Sequence, residues 1–153
     1  MKFISHRGNI RGKKESEENK PTTILNAINL GFDCEIDLWL IHDDLFLGHD
    51  EPEYLISADF LISLKSSLWV HCKNIEAMIW CNNLPDGVLN YFWHETDKVV
   101  LTSNGSIWAY PGNQPISNSV AVMPELFQEK KLSECFGICS DNIELYKEEY
   151  EKV

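Results

Sequence analysis

The chain has 153 residues, 44% of them hydrophobic and 24% charged. That is enough for one domain with a sizeable core and too few for two ordinary ones, and the composition argues against wholesale disorder. The net charge of −11 argues against nucleic acid as a partner bound through a basic footprint, and would repel an anionic membrane surface. No apolar run approaches membrane-spanning length, so no membrane span is expected. The five cysteines (34, 72, 81, 135 and 139) show no zinc-like spacing. An odd count, together with a Met1-Lys2-Phe3-Ile4 start too short for an export signal, predicts free thiols and a cytoplasmic protein.

In chain order, Phe3-Ile4-Ser5 is a short apolar strand that ends in His6-Arg7-Gly8. A polar loop follows from Asn9 to Lys20, longer than most connections and therefore a functional or mobile loop. Pro21 opens a helix with an apolar stripe at Ile24, Leu25, Ala27 and Ile28, and Gly31 ends it. Cys34 to Leu40 is a buried strand. His42-Asp43-Asp44 makes a turn, and Leu45 to Asp50 is a third strand with a polar end. Ser57 to Leu64 reads as a short helix with Ser57 as N-cap. Leu68 to Asn74 is a fourth strand and Ile75 to Asn82 a helix. Strands follow at 90–95 and 99–103, with a turn at Asn104-Gly105 and a hairpin arm to Tyr110. Val120 to Met123 is the seventh strand, before a short helix near Leu126 to Lys131. Phe136 to Ser140 is the eighth, and Asp141-Asn142 caps a last amphipathic helix carrying Ile143, Tyr146 and Tyr150.

Strands separated by helices predict a parallel sheet, and a count of eight predicts a single (β/α)₈ TIM-type barrel domain over 1–153. Such barrels usually need about 250 residues, so several helices must be shortened or missing. An open mixed sheet is the alternative.

Within the Cys34–Leu40 strand, Glu35 and Asp37 point to one face and Ile36, Leu38 and Leu40 to the other. Two carboxylates on one face of a buried strand are costly unless compensated, and a divalent cation is the simplest compensation. Exposure at a strand end is the alternative. Titratable groups recur at the carboxyl ends of the strands: His6 and Arg7, Glu35 and Asp37, His49 and Asp50, His71 and Lys73, His94 and Glu95. In a barrel those ends converge on the face where active sites are built.

The ordered set His6-Arg7-Gly8, Glu18-Asn19, Glu35-Ile36-Asp37 and Gly48-His49-Asp50 resembles the glycerophosphodiester phosphodiesterase family, of the phospholipase-C-like phosphodiesterase superfamily of barrels. Gly137 to Asn142 also looks like that family's closing strand. The resemblance implies a hydrolase of lipid metabolism acting on a glycerophosphodiester or a similar small phosphodiester. His6 and His49 match its acid–base pair, Arg7 and Lys73 its phosphate-binding residues, and Glu35 and Asp37 ligands for Mg²⁺ or Ca²⁺. Glu18 and Asn19 match supporting positions that brace the site by hydrogen bonds. His71 stands where the family offers a carboxylate ligand, which moves the metal preference toward Mn²⁺, Zn²⁺ or Fe²⁺. The same departure admits a non-catalytic barrel that binds a phosphorylated ligand or a protein partner. Neither the leaving alcohol nor the oligomeric state is fixed by these residues.

Overall fold

The computed structural model describes residues 1–151. The described chain runs β1 (Lys2–His6), α1 (Pro21–Asn29), β2 (Asp33–Ile41), β3 (Asp44–Leu47), β4 (Tyr54–Ile56), α2 (Ala58–Ser63), β5 (Leu68–Cys72), α3 (Ile75–Asn82), β6 (Asn90–Phe92), β7 (Val99–Leu101), β8 (Ile107–Ala109), β9 (Ser119–Val122), β10 (Gly137–Ser140) and α4 (Ile143–Glu151). Seven strands form one parallel run in the order β6-β5-β2-β1-β10-β9-β8. Two antiparallel additions complete the sheet. The β3–β4 hairpin hangs on the distal half of β2, and β7 pairs with β8.

Strand alternation sorts the side chains of this run into two layers. Ile36, Leu38, Val70 and Cys72 face outward and form a core with Ile24 of α1 and Ala77 of α3. Phe3, Ala121 and Ile138 face a second outer core with Ile143 of α4. Full burial of an Ile or Leu stabilises by about 1.5–3 kcal/mol, so these contacts fix which face of β2 points inward. The inner layer consists of Ile4, Trp69, Phe92, Trp108, Val120, Val122 and Cys139.

The sheet is curled, because rings from its two ends meet across that inner layer. Trp69 of β5 stacks on Trp108 of β8 at 5.4 Å, and Phe92 of β6 lies 4.8 Å from the same Trp108. The Ser103 amide also donates to the Tyr91 carbonyl at 2.8 Å. Among the described residues, however, no strand ladder joins β6 to β7 or β8. The architecture is therefore α/β with a barrel-like half-closed sheet of ten strands, where eight strands and a closed ring were expected.

The missed strand β4 is only three residues long and is defined by its partner β3. The turn before β3 is a two-residue hairpin in which His42 and Asp43 both have positive φ, 46° and 70°. That is the twist-matched type I′ geometry. The helix expected over 126–131 is a correction. Two short 3₁₀ turns, Pro124–Phe127 and Leu132–Glu134, occupy the stretch. Positive φ at Met123, Gln128 and Lys131 breaks any continuous right-handed helix there.

No helix is long and apolar enough to cross a membrane among the described residues. All five cysteines are free and buried.

Candidate active site

Register places the functional side chains. His6 of β1 pairs with Glu35 of β2, and Asp37 of β2 pairs with His71 of β5. All four point inward with Ile4 and Trp69 by alternation, so four chemical groups share one end of the inner layer. That end is the carboxyl edge of the parallel strands, where such sheets bind ligands. A cavity of about 390 Å³ opens there, lined by His6, Arg7, Glu35, His49, His71 and Lys73 on one side. Its other wall includes Phe92, His94 and Tyr110. A larger groove of about 610 Å³ lies between the loop after β1 and α1. Its one arginine, Arg11, already pairs with Glu144, and none of the converging site residues reaches it.

The His6-Arg7-Gly8-Asn9 segment is a tight turn closed by the Asn9 amide donating to the His6 carbonyl at 2.9 Å. Arg7 has φ 53° and Gly8 φ 90°. Left-handed backbone costs a non-glycine residue roughly 1–2 kcal/mol, and it turns the Arg7 side chain over the site. A Cβ at Gly8 would lie 2.8 Å from Thr23 Cγ2, so α1 packs directly on this turn. The Arg7 guanidinium donates from Nη1 to Glu18 at 3.1 Å, its Nε lies 3.0 Å from Asp37 Oδ2, and its Nη2 lies 3.3 Å from His49 Nε2.

Asp37 is fully buried and is the hub of the cluster. Asn19 clamps it twice: Nδ2 donates to Asp37 Oδ2 at 2.9 Å, and Asn19 Oδ1 accepts from the Asp37 amide at 2.9 Å. His49 Nδ1 lies 3.3 Å from Oδ2, His71 Nδ1 3.0 Å from Oδ1, and Lys73 Nζ 3.8 Å from Oδ1. Burial alone would raise the Asp37 pKa, but the contacts from His49 and His71 and the Arg7 charge hold it well below the usual carboxylate range. Glu35 behaves in the opposite way. Burial and the neighbouring Asp37 charge push its carboxyl up, against His6, Arg7 and His71.

His49 is held by the β2–β3 hairpin. The Gly48 amide donates to the Asp37 carbonyl, and Trp39 Nε1 donates to the Gly48 carbonyl at 2.7 Å. Trp39 thus braces the turn and does not line the cavity. Arg7 can only donate, so His49 Nε2 accepts from it and the ring proton sits on Nδ1, toward Asp37. Lys73 follows β5, and its amide donates to the Leu38 carbonyl at 2.8 Å. Beside it, Asn74 caps α3 through the Ala77 amide and also bonds both backbone groups of Leu40, where β2 parts from β5.

His6 Nδ1 bonds Asp141 Oδ1 at 2.8 Å, and its Nε2 faces Glu35 Oε2 at 3.9 Å. Burial disfavours the imidazolium, yet the Asp141 bond and the Glu35 charge overcome it, and the net pKa is raised. Asn9 Nδ2 donates both to Asp141 Oδ1 at 2.8 Å and to Glu18 Oε1 at 2.9 Å. This network ties the His6 side of the site to the Arg7 side.

The structure therefore gathers His6, Arg7, Glu18, Asn19, Glu35, Asp37, His49, His71 and Lys73 at one place. Glu95 lines the cavity rim and is exposed, and Asp50 is exposed outside the cavity lining with its carboxylate 3.6 Å from His49 Nε2. Sequence reasoning missed Asn9 and read Asp141 only as a helix cap. Asp141 follows the last residue of β10, the same strand-end position as the others, and that rule alone singles it out. Tyr110, at the end of the hairpin arm, stacks its ring on His94 at 3.5 Å and forms part of the cavity wall.

Glu35, Asp37 and His71 each offer one ligand atom, all within 4.8 Å of one another. Glu35 Oε2 is buried with no hydrogen-bond partner. An orphaned carboxylate oxygen beside a second carboxylate and an imidazole fits a divalent cation, whose ligands these residue types supply. No protein-family model matches the chain, and no curated protein matches it either.

Proposed function

We propose that this cavity hydrolyses a small phosphodiester, with His6 and His49 as the acid–base pair and a divalent cation held by Glu35, Asp37 and His71. The observation that carries the reading is the convergence of His6, His49, Arg7, Lys73 and Glu35 on one cavity at the sheet's carboxyl edge, with the buried Asp37 behind them in contact with Arg7 and His49. A phosphodiester is anionic and resists nucleophiles, and this is the set of groups its cleavage needs. We read the curled sheet as a reduced (β/α)₈ barrel of the glycerophosphodiester phosphodiesterase kind, and the buried free thiols as those of a cytoplasmic protein.

The chemistry follows from the side chains. Arg7 and Lys73 bind the phosphoryl oxygens and offset the charge that builds there in the transition state. A bound cation supplies further Lewis-acid stabilisation of the same charge. The His49 Nε2 lone pair, which Arg7 Nη2 holds in the free site, becomes the base when the guanidinium turns to the phosphoryl oxygens, with the Nδ1 proton facing Asp37. It takes the proton from the attacking water or substrate hydroxyl. His6, with Asp141 behind it and a raised pKa, holds a proton on Nε2 and passes it to the departing alkoxide. The phosphorus–oxygen bond to the leaving alcohol breaks as the new one forms, and the proton gained by His49 balances the one given by His6.

A second reading is a non-catalytic site for a phosphorylated ligand, favoured by the five donors already crowded around Asp37. Hydrolysis of bis(p-nitrophenyl) phosphate and of glycerophosphodiesters across a panel of divalent cations separates the two. Turnover that falls by about 10²-fold or more in both His6→Ala and His49→Ala supports catalysis. Phosphate-ester binding without turnover under every cation supports the second reading.

A further inference from the structure

We propose that His71 makes this a site for a borderline transition-metal ion, Mn²⁺, Co²⁺ or Zn²⁺, in preference to Mg²⁺ or Ca²⁺, with its imidazole ligating through Nδ1. The inference rests on the cavity assigned above to phosphodiester hydrolysis, but its observations are independent of any substrate.

His71 is held rigidly. Its ring stacks on Phe92 at 5.2 Å with planes only 5° apart. Its Nε2 lies 3.3 Å from the His94 carbonyl oxygen. A carbonyl can only accept, and so can the Asp37 carboxylate at Nδ1, so each ring nitrogen faces an acceptor and the His94 carbonyl is placed to hold a proton on Nε2 when Nδ1 ligates. Nδ1 lies 3.0 Å from Asp37 Oδ1 and 4.0 Å from Glu35 Oε1. Nδ1 and the two carboxylates converge within 4.8 Å of one another, so a divalent cation can take the place of the proton that Nδ1 would otherwise share with Asp37. Ligating histidines characteristically donate their other ring N–H to a carboxylate or backbone carbonyl, which fixes tautomer and orientation. His71 has that second contact in place. Glu35 presents Oε1 to this spot, and its Oε2, on the His6 side, is buried without a hydrogen-bond partner.

The donor set decides the metal class. Mg²⁺ and Ca²⁺ are hard ions that favour all-oxygen shells, whereas imidazole suits Mn²⁺ through Zn²⁺. Two carboxylates and one imidazole on adjacent strands leave the cavity-facing positions open for water or a phosphoryl oxygen. The pattern also explains why a third carboxylate is unnecessary here. Arg7 and Lys73 already supply positive charge at Asp37, and a neutral ligand keeps the site from accumulating more negative charge against the −11 of the whole chain.

The test uses the full chain stripped of metal with chelator. Titration with Co²⁺, Zn²⁺, Mn²⁺, Mg²⁺ and Ca²⁺ is followed by calorimetry, and the Co²⁺ form by visible absorption and proton NMR. The expected result is one equivalent bound, with Zn²⁺ and Co²⁺ tighter than Mn²⁺, and all three tighter than Mg²⁺ and Ca²⁺. The Co²⁺ form shows one hyperfine-shifted N–H resonance that vanishes in D₂O, from His71 Nε2–H. In His71→Glu, and in His71→Gln should the first variant fold poorly, that resonance is lost and the preference for Mn²⁺ over Mg²⁺ shrinks by about tenfold or more. Mg²⁺ or Ca²⁺ binding as tightly as Mn²⁺ in the wild type, no metal binding at all, or a shifted N–H surviving in either variant overturns the proposal. Metal binding without diester turnover would remove the hydrolase reading and leave this one standing; turnover without metal binding would do the reverse.

Discussion

Replacing Asp141 with Asn probes the proton-donor half of the site with little change in shape. A single oxygen, Oδ1, accepts from both His6 Nδ1 and Asn9 Nδ2, each at 2.8 Å. An asparagine that keeps its oxygen in that position retains both hydrogen bonds and loses only the negative charge. A hydrogen bond to a charged partner contributes about 1.5–3 kcal/mol and a neutral one about 0.5–1.5 kcal/mol. The variant therefore loses about 1–1.5 kcal/mol of preference for the His6 imidazolium, equivalent to about tenfold in its protonation equilibrium. Burial already opposes that charge, and Asp141 is the main group overcoming it. His6 must be protonated to act as the acid, so the alkaline limb of the kcat/KM profile moves to lower pH. Below the limb the rate changes little; above it the rate is about tenfold down. The assay is diester hydrolysis between pH 5 and 9, paired with NMR titration of the His6 ring protons. A folded variant whose alkaline limb and His6 titration both stay where the wild type has them refutes the assignment of Asp141 as the positioning residue of His6.

Other outcomes follow from the same geometry. Arg7→Lys keeps a positive charge but cannot span Glu18, Asp37 and His49 at once, so kcat/KM falls by about 10²-fold while urea midpoints shift only modestly. Gly48→Ala drives its new Cβ into the Glu51 carbonyl oxygen; because the obstacle is backbone, stability drops by about 2 kcal/mol or more by urea denaturation, and His49 is displaced with it. Burial and the neighbouring His71 push the His94 pKa down from 6.5 to about 4. The unfolded chain thus binds the proton first, and stability declines as pH falls from about 6.5 toward 4, with no further loss from this group below that. His94→Phe, which preserves the stack on Tyr110, flattens that part of the profile measured by thermal melts across pH.

Much of the site could be read in the sequence because it depends on local rules. Alternation alone put Glu35 and Asp37 on one face, and the burial of Ile36 and Leu38 on the other explains why that face turns inward. Ser57 and Asn74 cap helices whose first turns their side chains bond directly, although Asn74 had been assigned to the end of a strand. What escaped depends on pairing between distant segments. Asp141 reaches His6 because β10 lies beside β1, a contact spanning 135 positions, and its capping role offered an adequate local explanation. The 126–131 stretch has helical composition, but left-handed backbone at Gln128 and Lys131 divides it. Strand count overstated closure for a related reason: eight apolar segments fit a ring, whereas β3 and β4 form an appended hairpin and β6 stops three residues long. The curling itself depends on Trp69, Phe92 and Trp108 meeting across the interior, which no single segment encodes.

The central claim is that His6 and His49 exchange protons across a phosphodiester in this cavity. Phosphorus-31 NMR of the metal-reconstituted protein with a glycerophosphodiester tests it most directly, reading substrate and product in one spectrum. The account predicts conversion to a phosphomonoester or cyclic phosphate with release of free alcohol, lost in His6→Ala and His49→Ala while the fold and metal content are retained. An unchanged diester signal with every cation, or equal conversion in both variants, would contradict it.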